Sequence, residues 1–319
     1  MYLNILLLVA GLFILILGGD FLVKGATSIA LRFKLSPLVV GLTIVAFGTS
    51  APELLISIKA ALSGSPDLTM GNVVGSNICN LGLVLGVTAI ISPIYVGKDS
   101  LRIDWPVAMG SSLLLFSVSS FGFINWLEGV LFMILLITYV AFLIIHSRKK
   151  HLDNRQLETS FEEEELEEGP SKSVLKDLGF LVLGCLGLYF GADWFVGGAQ
   201  EIAVYLGVSE RIIGITVLAL GTSLPELTTA IIASLRKETD LALGNLLGSN
   251  IFNVLSILGI TSMIKTIEVN QEIVNIDMLW MLGITFVILP FMITSKHVEK
   301  WEGIVLLGVY FYYVFAVIL

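Results

Sequence analysis

Hydrophobic residues in this chain come in long runs, not at the spacing of an amphipathic helix or a half-buried strand. Ten apolar stretches follow one another: roughly 2–31, 36–64, 68–95, 103–121, 124–147, 174–205, 209–235, 241–265, 275–294 and 299–318. Each approaches or exceeds about 20 residues, enough to cross roughly 30 Å of hydrocarbon. The pattern predicts an all-α polytopic membrane protein of ten transmembrane helices. The first run lacks a basic leader and a small-residue cleavage site, so it reads as a retained helix. A polar break divides the stretches five and five: a first unit 1–147, a polar acidic linker 148–173 and a second unit 174–319.

Composition agrees. Of 319 residues 56% are hydrophobic and 14% charged, with mean hydropathy +0.93, whereas ordinary globular domains are about a quarter charged. Little of the chain is left to form a domain outside the bilayer. The net charge of −8 arises largely between Asp153 and Glu168. The run "FEEEELEE" at Phe161–Glu168 reads as a solvated linker face. No basic surface suggests nucleic acid; the lipid bilayer is the partner this composition implies. Cys79 and Cys185 fall inside apolar runs and read as small buried hydrophobes.

The two units repeat. Adding 173 to Gly48 gives Gly221, and the same shift takes Glu53 to Glu226, Asn77 to Asn250, Asp20 to Asp193 and Asp104 to Asp277. Between Gly41 and Gly86 about half the positions are identical under this ungapped shift, the mark of an internal structural repeat. Five spans is an odd number, so the second unit enters the membrane from the opposite side. Basic residues follow this inversion. Arg32, Lys34, Lys98, Arg102, Arg148, Lys149, Lys150, Arg236, Lys237 and Lys296 fall in connections of one side; Lys59, Arg211 and Lys265 fall on the other. The positive-inside rule then places both termini outside and the linker in the cytoplasm of a multi-pass plasma-membrane protein. Inverted repeats of this kind occur in secondary transporters, with a substrate site near the midplane.

The second and seventh stretches carry the chemistry. "GTSAPELL" from Gly48 and "GTSLPELT" from Gly221 put a helix breaker, two hydroxyls and a carboxylate at mid-span. Pro52 lacks an amide donor and disfavours helix at Ala51, so the span splits into two half-helices. Ser50 is placed to cap the second, and Glu53 lies in its first turn, where the helix dipole favours an anion. Carbonyls freed around Ala46 and Phe47 face the other way. Carbonyl, hydroxyl and carboxylate oxygens together suit sodium or calcium. A glutamate at this depth costs roughly 2.5 kcal/mol or more without a partner, and here it recurs at matched positions. Glu53 is about 11 residues, some 16 Å, from the span's end and cannot readily snorkel.

Spans three and eight carry "GNVVGSNICN" and "GNLLGSNIFN". The glycine pairs Gly71/Gly75 and Gly244/Gly248 share a helix face and permit close approach. Ser76 and Asn80, like Ser249 and Asn253, are four apart and read as ligands. Asn72, Asn77, Asn245 and Asn250 read as packing groups, and Asp67 and Asp240 as N-caps. Asp20 and Asp193 read as packing against the core, with Lys24 placed to pair with Asp20. Trp105, Trp126 and Trp301 read as interfacial anchors.

On the motifs "GTSAPELL…GNVVGSNICN" and "GTSLPELT…GNLLGSNIFN", the chain resembles the sodium/calcium exchanger family of the cation/calcium antiporters, in its prokaryotic form. The resemblance covers essentially the whole chain. It implies broken helices two and seven packed against helices three and eight around a midplane cluster of sodium and calcium sites, with helices one and six sliding across that core. Glu53 and Glu226 match the central carboxylates; Thr49, Ser50, Thr222 and Ser223 match hydroxyl and carbonyl ligands. Ala46 and Ala219 match backbone-oxygen ligands, and Ser76, Asn80, Ser249 and Asn253 the outer polar ones. Potassium-dependent relatives carry aspartate where this chain has Asn253, which argues against potassium transport. The resemblance implies an antiporter, not an enzyme, with transported Ca2+ and Na+ and no cofactor. A proton-coupled calcium exchanger is the nearest alternative and a cation channel a more distant one. An intramembrane hydrolase finds no protease motif, and His146, His151 and His297 sit at span ends or beyond them.

Overall fold

The structure, a computed structural model, describes residues 2–157, 173–206, 219–294 and 296–318. Most of the acidic linker, with "FEEEELEE", and the first part of the stretch 209–235 lie outside the described residues. The described chain is mostly helical. α1 (Tyr2–Phe33) leads to a broken element: α2 (Pro37–Val40), a π-helical turn at Gly41–Val45, α3 (Ala46–Thr49) and α4 (Ala51–Leu62). α5 (Pro66–Cys79) runs through a π-helical turn at Asn80–Val84 into α6 (Leu85–Ile91). A third such turn, Ser100–Asp104, opens α7 (Trp105–Ser119), and α8 (Trp126–Leu157) closes the first unit.

The second unit follows the same order. α9 (Val174–Tyr205) precedes α10 (Ala219–Thr222) and α11 (Leu224–Leu235). α12 (Thr239–Phe252) passes through a π-helical turn at Asn253–Leu258 into α13 (Gly259–Ile264). The turn Ile273–Asp277 opens α14 (Met278–Thr294), and α15 (Lys300–Ile318) ends the described chain. Seven helices among the described residues are long and apolar enough to cross a membrane. They number eight if Pro37–Thr49 and Ala51–Leu62, bent by 45° at their break, count as one span. That break falls where Pro52 predicts it.

Four features depart from the sequence expectation. The fold is not purely helical: β1 (Ile94–Tyr95) pairs antiparallel with β4 (His297–Val298), and β2 (Phe123–Ile124) with β3 (Ile267–Glu268). Each two-residue ladder joins a loop of one unit to a loop of the other. α8 continues to Leu157, past the expected span end at 147, and carries the basic run Arg148–Lys150 on that extension. Asp67 and Asp240 are not caps but second residues of α5 and α12, whose N-caps are Ser65 and Glu238. Pro66 accounts for the first case, since its fixed φ suits the opening helical position. Trp105 is more than an anchor: its indole donates to the Thr285 carbonyl at 2.8 Å, tying α7 to α14.

Burial identifies the centre. The helix Thr239–Ile264 is fully enclosed along its apolar window and Pro66–Ile91 is 72% enclosed, against 22–33% for the other long helices. α1 and α9 form a separate antiparallel pair. A Cβ on Gly11, Gly18 or Gly25 would lie 2.5, 2.6 or 2.9 Å from a backbone nitrogen of α9 (Phe195, Leu188, Leu181). From the other side, Cβ atoms on Gly184, Gly191 and Gly198 would meet Leu22, Leu15 and Leu8 nitrogens at 2.6, 2.6 and 2.8 Å. Both glycine series repeat every seven residues, so the helices meet backbone to backbone along one seam. At one end, Ser28 Oγ and Arg32 Nε donate to the buried Asp177 carboxylate at 2.7 and 2.9 Å. Asp20 pairs with Lys24 at 2.9 Å, as the spacing suggests, and also with Arg236 beyond α11.

Candidate cation site

The two proline breaks place Glu53 in the first turn of α4 and Glu226 in the first turn of α11. Both carboxylates are 1% exposed and lie within electrostatic reach of each other. No lysine, arginine or histidine is paired with either among the described residues. Ser50 Oγ donates to Glu226 Oε1 at 3.3 Å, and Ser249 Oγ to the same oxygen at 3.5 Å. Ser50 is the N-cap residue of α4, but its hydroxyl makes no capping bond. It reaches across to the other unit instead, correcting the expected local role.

Thr49 Oγ1 lies 3.3 Å from the Ala46 carbonyl, 3.2 Å from Asn245 Oδ1 and 3.4 Å from Ser249 Oγ. The Ala46 carbonyl also accepts the Ser50 amide at 3.0 Å, so it is engaged here, not freed as expected. Ser76 and Ser223 are buried and Thr222 half-buried. Ala219 opens α10.

Behind the carboxylates, four asparagines form a reciprocal lattice between α5 and α12. Asn77 Nδ2 donates to the Asn250 carbonyl at 3.3 Å, and Asn250 Nδ2 to the Asn77 carbonyl at 3.1 Å. Asn80 Nδ2 donates to Asn250 Oδ1 at 3.1 Å, and Asn253 Nδ2 to Asn77 Oδ1 at 3.0 Å. Asn77 and Asn250 are therefore the packing groups the sequence suggested. Asn80 and Asn253 each commit one amide hydrogen to the opposite helix, and each Oδ1 is left without a donor. Asn80 and Asn253 each open a π-helical turn, a distortion frequent at functional sites because it re-aims side chains.

Most of the unsatisfied atoms here are oxygens, with Asn245 Nδ2 the one nitrogen among them. Glu53 Oε2, Glu226 Oε2, Asn80 Oδ1, Asn253 Oδ1 and Ser223 Oγ are all buried oxygens with no hydrogen-bond partner. An orphaned buried oxygen is expensive unless something electropositive meets it. Carboxylate, amide and hydroxyl oxygens without nitrogen or sulfur donors are hard ligands for Na+ or Ca2+. Beside this region lies a cavity of about 250 Å³ lined by Pro52, Asp193, Gly221, Thr222 and Pro225 among others. Asp193 is thus exposed toward a cavity, not packed into the core as expected.

A family model described as sodium/calcium exchanger protein matches residues 3–145 and 176–319. The chain belongs to the sodium/calcium exchanger family. Its relatives include the sodium/calcium exchanger MaX1 of Methanosarcina acetivorans, 35% identical over 99% of this chain and 98% of that protein. The putative antiporter CaxA of Alkalimonas amylolytica is 35% identical over 93% of each chain. The solved sodium-calcium exchanger NCX_Mj, soaked with Na+ and Sr2+, matches with TM-score 0.82 and 33% identity, covering 98% of this chain and 97% of that one. This exchanger-family chain is accordingly a multi-pass membrane ion transporter.

Two residues of this family member have roles the sequence reading understated. Asn245 touches the Thr49 hydroxyl directly, and its Nδ2 is buried and unpartnered. Ser57 receives Asn72 Nδ2 at 2.9 Å while Asn72 also donates to the Glu53 carbonyl at 3.1 Å. Asn72 and Asn245 occupy matched repeat positions, which is the one sequence signal for both.

Proposed function

We propose that this chain is an antiporter exchanging Na+ for Ca2+ at a midplane site built on Glu53 and Glu226. The observation that carries the reading is the pair of fully buried carboxylates, at matched repeat positions, with no basic residue to neutralise them. Thr49, Ser50, Ser76, Asn80, Thr222, Ser223, Ser249 and Asn253, with the Ala46 and Ala219 carbonyls, complete the ligand set; rotation of the Thr49 hydroxyl leaves Ala46 a lone pair for a cation. Two glutamates neutralise one Ca2+, whereas several Na+ ions at the same oxygens leave a positive excess, so exchange is electrogenic. Asn253 supplies a neutral oxygen where potassium-dependent relatives have a carboxylate, so transport is potassium-independent. The names of MaX1 and NCX_Mj support sodium as the coupling ion.

The reading includes ten crossing helices in two inverted repeats, 1–147 and 174–319, joined by the linker 148–173. Matched π-helical turns at Asn80 and Asn253, and at Ser100 and Ile273, support the repeat, as do the reciprocal asparagine bonds. The stretches 103–121 and 209–235 complete the count on hydropathy. Both termini lie outside the plasma membrane and the linker in the cytoplasm. The cavity at Asp193 and Thr222 gives ions a path to the broken helices, and alternating access arises when α1 and α9 shift together across the core.

The test is calcium-45 uptake by proteoliposomes of the purified protein under imposed Na+, H+ or K+ gradients. Outward Na+ gradients are expected to drive Ca2+ accumulation, with a membrane potential altering its rate and K+ without effect. Accumulation driven by a proton gradient in Na+-free buffer would establish proton coupling instead.

A further inference from the structure

Far from the carboxylate pair, a cavity of about 310 Å³ opens among helix ends: the turn after α1, the start of α2, the Ser100–Asp104 turn and the C-terminal part of α8. Asp104 lines it and is 0% exposed. Tyr139 OH donates to Asp104 Oδ1 at 3.0 Å, while Oδ2 is buried without a partner. His146 also lines the cavity, and its buried Nε2 has no hydrogen-bond partner. The imidazole is stacked on Phe142 with ring centroids 5.6 Å apart, and its Nε2 lies 3.8 Å from Asp99 Oδ2. Asp99 is itself paired with Lys150 at 2.7 Å. Lys34 and His151 add further basic groups to the lining.

The lining therefore combines two residues with a buried, unpartnered polar atom, Asp104 and His146, with the basic Lys34 and His151 and the Lys150–Asp99 pair. Among the described residues no group of three or more His, Cys, Asp or Glu is placed to hold a metal ion, and a lone cation would leave the basic rim unused. A simple anion suits Lys34 but is repelled by Asp104 and by Asp99, which already holds Lys150. A ligand carrying an ammonium and a phosphate on a short spacer meets both. The position at helix ends puts the cavity at headgroup level, and exposed Phe33, Phe142 and Ile145 beside it offer apolar surface to acyl chains. We propose that this cavity binds the headgroup of an aminophospholipid of the phosphatidylethanolamine class. Its primary ammonium donates to Asp104 Oδ2, and its phosphate lies toward His146 and Lys34. A cavity of about 310 Å³ has room for a headgroup, not only for a single ion or water.

The experiment is lipid binding to the full-length protein in mild detergent, followed by native mass spectrometry. The probes are phosphatidylethanolamine, phosphatidylcholine and phosphatidylglycerol of equal chain length, with glycerophosphoethanolamine as a chain-free probe. Phosphatidylethanolamine is expected to bind at least tenfold tighter than the others, because choline has no N–H and glycerol no charge for Asp104. Asp104→Asn is expected to abolish that preference and leave phosphatidylglycerol binding unchanged; Lys34→Gln weakens both. Equal binding of the three lipids, or a preference that survives Asp104→Asn, overturns the proposal. Glycerophosphoethanolamine binding as tightly as the lipid overturns its lipid part in favour of a soluble phosphoamine. If Asp104→Asn does not fold, His146→Gln and Lys34→Gln decide: phosphatidylethanolamine binding weakened by neither refutes the assignment.

Discussion

Glu226→Gln separates charge from geometry at the candidate site. The substitution is nearly isosteric, and glutamine keeps an Oε1 acceptor for Ser50 and Ser249, which now donate to Glu226 at 3.3 and 3.5 Å. What it removes is one of two buried negative charges. At about 4 Å and an effective dielectric of about 20, each unit charge pair contributes about 4 kcal/mol, so a divalent ion loses up to about 8 kcal/mol. If the remaining amide oxygen offsets half, the loss of about 4 kcal/mol weakens Ca2+ binding roughly a thousandfold. Two assays read this together. Ca2+ at about 100 times its Kd stabilises the native protein by about 2.7 kcal/mol, seen as a rise in Tm by scanning fluorimetry; the variant is expected to show none. In proteoliposomes Na+-driven calcium-45 uptake is expected to vanish. A variant whose Tm still rises with Ca2+ and whose flux is near normal refutes the assignment of Glu226 as a ligand.

Other outcomes follow from the packing and the lattice. Gly191→Leu drives a side chain into the Leu15 backbone nitrogen, where even a Cβ would sit at 2.6 Å. It is expected to destabilise the protein by about 1–3 kcal/mol or more, whereas Gly179→Ala, with open space around it, is neutral; equal Tm values for the two would contradict the seam. Arg32→Gln removes the guanidinium held by fully buried Asp177, at an expected cost of about 3–5 kcal/mol, measured by thermal or chemical unfolding in detergent. Asn253→Asp adds a carboxylate at the orphaned Oδ1 and is expected to change the Na+ or K+ dependence of Ca2+ flux. An active variant with unchanged ion dependence would remove Asn253 from the ligand set.

Much of this was legible in the chain itself, for specific reasons. Apolar runs of membrane length need no tertiary information, and Pro52 and Pro225 break their helices wherever the rest of the fold goes. The ungapped shift of 173 predicted which residues would occupy matched places, and the asparagine lattice follows it. The π-helical turns were not legible, because one extra residue in a turn leaves hydropathy and repeat spacing untouched. Nor were the two-residue ladders, which rest on loops meeting in space. Ser50 misled for a physical reason: a serine before a helix usually caps it, but a buried carboxylate across the site competes for the same hydroxyl. The heptad spacing of Gly11, Gly18 and Gly25 was visible, yet only its counterpart at Gly184, Gly191 and Gly198 gives it meaning, and those stand more than 150 positions away.

That separation makes the order of synthesis matter. α1 is synthesised well before α9, and the helix that covers its glycine face begins only at Val174. At about 5–20 residues per second, the wait from Gly11 is roughly ten to thirty seconds. Throughout it, backbone that the finished protein buries against α9 faces acyl chains, the translocation machinery or α2–α8, none of which reproduces the seam. Biogenesis therefore has an interval in which this glycine face is uncovered, and a truncation before α9 leaves α1 without the partner that buries it.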